Sequence, residues 1–315
     1  MSSRPLRVLI AWRPGQPAPE ILNYAAWLSR TTKLKIRVVS ILSRGWPLTE
    51  LTRLADNESW VATETKALDH QIRRSLKSAG LRKGMLDDDP IRIIETTSES
   101  TAISAEAEEF AADFVLIGSR HFDVPGSGKH KDNSATSDNF EPGSTATALL
   151  HYSSKPLGLA HPTAKLSKNG VTRVNVSYID TAQSHRALNK AAELAKNWQV
   201  PLRLVSFTPQ GATMYRTDNG YGDSSDLMVE WREQAMALLD RGIDRAHTRF
   251  PDLEIETAIS SGNGWSEAIN SMKWKKGDLL VLGSSTLGPF GRVFVGSSTT
   301  HIIRDCPVPI LITPA

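Results

Sequence analysis

Arg7-Val-Leu-Ile-Ala-Trp12 returns 166 residues later as Arg173-Val-Asn-Val-Ser-Tyr178, each time a short apolar run behind a basic residue. The same shift carries Ala25-Ala26 and Leu28 onto Ala191-Ala192 and Leu194. It also carries Ile36-Arg37-Val38-Val39-Ser40 onto Leu202-Arg203-Leu204-Val205-Ser206. One gapless offset over a strand-like, a helix-like and a second strand-like segment is the mark of a duplication.

Further along, the offset drifts as loops of unequal length require. Trp60, Leu68, Asp69, Ile72 and Arg74 fall on Trp231, Leu239, Asp240, Ile243 and Arg245 with a shift of 171. Asp113 to Ser119 falls on Asp278 to Ser284 with a shift of 165, and Gly143-Ser144-Thr145 on Gly296-Ser297-Ser298 with a shift of 153. The drop from 165 to 153 places 12 extra residues between Gly118 and Gly143. The expected organisation is an N-terminal domain over 1–165, with the inserted loop at 122–142, and a C-terminal domain over 170–315.

In the second copy, strands are expected at 173–178, 202–207, 255–259, 279–282 and 308–312. Helices are expected between them at 184–198, 226–250, 265–274 and 298–304. Ala187, Leu188, Ala191, Ala192 and Leu194 recur at helical spacing, whereas the strand runs are continuously apolar, as buried parallel strands are. Strands alternating with helices predict an α/β fold: two tandem five-stranded parallel sheets, each doubly wound. Ligands of such sheets sit beyond the carboxyl ends of the strands, where the strand order switches.

The totals fit two ordinary globular domains: 315 residues, 40% hydrophobic and 23% charged. Basic and acidic residues nearly balance, at 37 against 34, and no basic block stands out. Nucleic acid is therefore not expected as a partner. A single cysteine, Cys306, excludes an internal disulfide and reads as a small buried hydrophobe. No long apolar run and no leader pattern is visible, so a cytoplasmic chain without membrane contact is expected.

The loop after the fourth strand of the second copy carries the chemistry. It runs from Gly283-Ser284 through Gly288 and Gly291 to Gly296-Ser297-Ser298, where a helix begins. Glycine at a strand end lets a ligand approach the backbone. A helix start offers free N–H groups and hydroxyls to phosphate. The same residue types also serve any strand-to-helix turn and N-cap, so composition alone leaves both readings open.

The pattern Gly283-x2-Thr286-x9-Gly296-Ser297, with Asp278-Leu-Leu-Val-Leu before it and Pro307-Val-Pro-Ile-Leu-Ile after it, resembles the universal stress protein family. The family pattern has glycine at the place of Thr286 and an aspartate at the end of the first strand. Here Ile179 holds the aspartate's place, with Asp180 one residue later, and Arg13 holds it in the first copy. The resemblance implies an adenine-nucleotide-binding α/β domain of the α-hydrolase-like type, and ATP, with Mg2+, as the ligand. By position it names Gly283, Ser284, Gly296, Ser297, Ser298 and Asp180 as binding residues. It also implies a stress-response regulator that pairs its two domains through their last strands, associates into homodimers and acts on a protein partner.

The first copy reads as degenerate, because its loop is split by the insertion. Gly126-Ser127-Gly128-Lys129 fails the P-loop pattern, with Asp123 and His130 at the required glycine and Ser/Thr positions. No metal-ligand spacing and no catalytic constellation appears, so the chain reads as a non-enzyme. The matched Asp113 and Asp278 precede the fourth strands and read as turn or cap residues. Two other functions stay open: a partner-binding scaffold that has lost its nucleotide, and a slow ATPase.

Overall fold

A computed structural model describes residues 4–13, 19–43, 54–118, 143–161, 164–210, 224–284 and 297–314, with side chains left out at a few helix and strand ends. The chain forms two compact units, Met1–Pro162 and Thr163–Ala315.

In the N-terminal unit the strands are β1 (Leu6–Trp12), β2 (Leu34–Ser43), β3 (Leu86–Thr96), β4 (Phe114–Ile117) and β5 (Leu157–Leu159). Their helices are α1 (Pro19–Leu28), α2 (Leu54–Ser78), α3 (Glu99–Glu109) and α4 (Ser144–Tyr152). The C-terminal unit repeats this with β6 (Arg173–Ser177), α5 (Ala182–Trp198), β7 (Leu202–Gln210), α6 (Ser224–Arg249) and β8 (Ile255–Asn263). It closes with α7 (Trp265–Asn270), β9 (Asp278–Gly283), α8 (Ser297–Asp305) and β10 (Ile310–Thr313).

Within each unit all recorded strand pairs are parallel. The order is β3-β2-β1-β4-β5 in the first and β8-β7-β6-β9-β10 in the second. The expected doubly wound sheet is therefore observed in both. The switch in order falls beside β1 in one unit and beside β6 in the other, which fixes where a ligand crevice can form.

Burial follows the sequence pattern. Val174, Val176, Leu202, Leu204 and Leu279 to Val281 have no exposed surface, and α5 buries Ala187, Leu188, Ala191, Ala192 and Ala195 against them. Each large aliphatic side chain so buried is worth about 1.5–3 kcal/mol. Helix α5 begins in a capping box, in which Thr181 and Ser184 exchange side-chain and backbone hydrogen bonds. Cys306 is buried as expected, and burial pushes its thiol up to about 12.

Two expectations change. Strands β7 and β8 run to Gln210 and Asn263, beyond the apolar runs, because the two stay in register from Leu202↔Ile255 to Gln210↔Asn263. The polar tail Ser260 to Asn263 gave no strand signal. Asp278 is more than a turn residue: it is wholly buried. Although its carboxylate accepts from Lys275 N at 2.8 Å, it also accepts a two-pronged bond from Arg173, at 2.9 Å from both Nε and Nη2. Arg203 adds an Nη2 contact at 3.5 Å and donates from Nε to the Asn175 side chain at 2.6 Å.

Burial opposes the Arg173 charge, but Asp278 and then Glu256 outweigh it and raise its affinity for its proton. Arg203 is shifted down, by burial first and by repulsion from Arg173 second. The counterpart Asp113 is half-open, accepting from Arg7 N at 2.9 Å and pairing with the exposed Arg4 at 2.5 Å.

The contrast yields a prediction. Asp278→Ala removes the buried carboxylate shared by two buried guanidinium groups and is expected to lower the unfolding free energy by ~3–5 kcal/mol. Removal of the exposed Arg4 side chain is expected to cost less than ~1 kcal/mol. Urea denaturation followed by circular dichroism checks both, and comparable losses would contradict this description of the core.

Candidate functional site

Beyond the carboxyl ends of β6, β7 and β9 lies a cleft of about 260 Å³. Ser177 and Ile179 follow from β6, Thr181, Gln183 and Ser184 belong to the start of α5, and Phe207 comes from β7. Trp265 opens α7, Leu282 and Gly283 end β9, and Ser298, Thr299 and Ile302 lie on α8. No charged side chain is among these described lining residues. One wall is apolar and the other carries hydroxyls and the first turn of α8.

Gly283 is required where it stands. A Cβ there would lie 2.6 Å from the Gln183 carbonyl oxygen and 2.9 Å from its carbon, closer than real Cβ atoms come. The strand end and the start of α5 therefore touch backbone to backbone. Next to it, Ser284 donates from both N and Oγ to the Thr313 carbonyl, each at 3.0 Å, while Thr313 Oγ1 donates to Leu282 O at 3.0 Å. These bonds tie the ends of β9 and β10 together beneath the cleft.

Of the residues named from sequence, Gly283 and Ser298 are brought together at the cleft. Ser284 is nearly fully buried and its hydroxyl is committed to β10, so it supports the floor instead of facing a ligand. Ser297 opens α8. Thr286, Gly288, Gly291 and Gly296 lie outside the described residues, as does the 122–142 insertion.

Asp180 is not among the described residues that line this cleft. It sits at φ 57°, a left-handed conformation that turns it away from Ile179. It accepts from Tyr178 Oη at 3.0 Å and Arg241 Nε at 3.2 Å, and lies 2.8 Å from His185 Nε2. The hydrogen bond from His185, then those from Tyr178 and Arg241, hold its carboxyl down at about 2. Ile179, at the family's aspartate position, is 58% exposed on the cleft.

Sequence reasoning missed Phe207 and Trp265 as lining residues, since an aromatic at a strand end or helix start reads as core. The available signal was position: both stand at carboxyl-end junctions of the sheet. The Trp265 ring stacks parallel on His301 of α8, with centroids 5.7 Å apart and planes 4° from parallel.

The corresponding place in the N-terminal unit is occupied by its own side chains. Arg13, the counterpart of Ile179, donates from Nη2 to Thr145 Oγ1 at 2.8 Å and lies 3.5 Å from Glu99. Thr145, the counterpart of Ser298, also donates to Glu99. A Cβ on Gly143 would stand 3.2 Å from the Arg13 guanidinium. The three polar groups satisfy one another where the other unit leaves its cleft open.

A sequence profile described as the universal stress protein family matches residues 171–314. Over its length the chain is similar to a universal stress protein of Mycobacterium tuberculosis, 28% identical over 315 residues, covering 98% of this chain and 100% of the relative. A Mycobacterium bovis universal stress protein matches equally, at 28% identity over 98% of this chain and 100% of its own. Among solved structures, a universal stress protein from Archaeoglobus fulgidus superposes with a TM-score of 0.58 at 17% identity, covering 97% of this chain and 98% of that one. That likeness is one of fold. No helix among the described residues is long and apolar enough to cross a membrane.

The Asp180 cluster makes a pH-dependent prediction. Its carboxyl is lowered from 3.8 to about 2, so its contribution is complete above the unfolded value and lost as pH falls through the folded one. The stability difference between the wild type and Asp180→Asn should be constant near neutrality and shrink between about pH 4 and 2. Thermal melts across that range check it; a difference unchanged at every pH would refute it.

Proposed function

We propose, from the match of the C-terminal unit to the universal stress protein family, that this unit binds an adenine nucleotide, ATP foremost, as a switch and not as a substrate. The observation that carries this reading is the meeting of a side-chain-free strand end, Gly283, with the hydroxyl-bearing first turn of α8 at one cleft. The apolar wall of Ile179, Phe207 and Trp265 suits a purine face. The first turn of α8, with Ser298 and Thr299, suits phosphate oxygens.

No carboxylate lines the described part of the cleft, and no metal-ligating cluster occurs among the described residues. Mg2+ therefore enters, in this reading, on the phosphates and not on protein carboxylates. The described lining residues include no carboxylate, histidine or lysine to act as a base on water, which supports a binding role over hydrolysis. Occupancy would bias the surrounding loops toward one conformation, and a protein partner would read that bias. The N-terminal unit contributes no second nucleotide, because Arg13, Glu99 and Thr145 fill the equivalent place.

Calorimetric titration of ATP into nucleotide-stripped protein is expected to show one site per chain. Ser298→Ala should weaken it about tenfold by removing a hydrogen bond to a charged group. Phosphate release should not exceed that of buffer. Absence of binding at millimolar ATP would sink the proposal. The exposed Ile179 favours one rival, a scaffold of the same fold without nucleotide. If wild type binds nothing and a variant with aspartate at Ile179 and glycine at Thr286 does bind, that rival is correct.

A further inference from the structure

The C-terminal unit has a second concavity, remote in chemistry from the first. It is an open groove of about 610 Å³ between α5 and α6, lined by Asn189, Arg241, Asp244, Arg245 and Arg249, with Asp180 at one end. The three arginines stand at i, i+4 and i+8 on α6. At 1.5 Å per residue they repeat about every 6 Å and span about 12 Å. Arg241 is engaged by Asp180 at 3.2 Å. Arg245 lowers the Tyr178 hydroxyl's affinity for its proton against the larger effects of burial and Asp180, and Arg249 stands 5.4 Å over the Phe250 ring. No ion pair joins Arg245 or Arg249 to a carboxylate among the described residues.

The duplication supplies an internal control. The N-terminal unit has the corresponding groove between α1 and α2, about 170 Å³, lined by Trp12, Leu22, Asn23, Ser75 and Ser78 without a charged side chain. Asn23 and Asn189 are counterparts by the shift of 166, as Ser78 and Arg249 are by the shift of 171. Arg74 is the counterpart of Arg245 by the same shift but does not line the N-terminal groove, so the charged lining is particular to the C-terminal unit.

We propose that the α5–α6 groove is a docking surface for an extended acidic segment of a partner protein, with Asp or Glu at alternate positions. An extended chain advances about 6.6 Å per two residues, which matches the ~6 Å repeat of the arginines. Guanidinium forks take carboxylates in two-pronged geometry, which favours arginine over lysine for this task. Asp244 and Asp180 interrupt the positive stripe. Neutral residues between the carboxylates of such a segment would keep negative charge from Asp244 and Asp180. Ile179 and Asp180 are consecutive, one on the cleft and one on the groove, yet the docking proposal stands without any nucleotide.

The test is fluorescence anisotropy of a labelled peptide of about ten residues alternating Glu and Thr, titrated with the full chain at about 50 mM salt. Saturable binding is expected, weakening as salt rises. The R245E/R249E double variant should lose at least about tenfold, and R245K/R249K should lose less. A Ser78→Glu change in the N-terminal groove should leave binding unchanged. Far-UV circular dichroism and melting establish that the charge-reversed variant is folded. No binding by the wild type, or equal binding by R245E/R249E, overturns the proposal. So does tighter binding of inorganic polyphosphate or single-stranded DNA of equal charge, which would make the groove a phosphate-polyanion site.

Discussion

The contact between the backbones of Gly283 and Gln183 sets the geometry of the whole carboxyl end of the C-terminal sheet. It brings the start of α5 against the end of β9, with no space for even a methyl group between them. Ser284 and Thr313 hold the β9 and β10 ends together just below it. At the opposite end of the strands, Arg173, Arg203 and Asp278 bind β6, β7 and β9 into one layer. The cleft is what remains between helix starts whose positions these two sets of contacts define. Its shape is a property of the backbone, and its chemistry is left to few side chains.

The two units show one architecture put to different uses. Identical strand orders place equivalent residues at equivalent points, so each difference can be read singly. At the first-strand end, Arg13 reaches across to Thr145 and Glu99, whereas Ile179 stands exposed and unbonded beside Ser298. Along the second helix of each unit, Ser75 and Ser78 face one groove, and Arg241, Arg245 and Arg249 face the other. Polar groups that close on themselves stabilise a structure; polar groups left open recognise something else. In the proposed reading, recognition is concentrated in the C-terminal unit.

Much of the fold was legible in the sequence because a duplication repeats every signal: apolar strand runs and helical spacing recur at near-constant offsets. The parts that were not legible have physical causes. The ends of β7 and β8 are polar, and only their pairing with each other makes them strands. Asp278 precedes a strand, where acidic residues usually cap turns, and only the folded state shows two arginines converging on it. In the site, Gly283 and Ser298 were named by the resemblance, and both line the cleft. Asp180 could not be placed, since a single left-handed residue sends consecutive side chains to different surfaces. Phe207 and Trp265 were hidden for the opposite reason, because aromatic side chains carry no sign of whether they line a cavity or fill one.

In the proposed reading the open cleft of the C-terminal unit, and not its filled counterpart, receives the nucleotide. The most direct measurement is photo-crosslinking with an azido-adenine analogue of ATP, followed by peptide mapping of the labelled chain. Label is expected on peptides containing Phe207, Trp265 or Ser298, competed away by unlabelled ATP. Competable label on peptides around Arg13, Glu99 or Thr145, or none at all, would contradict it.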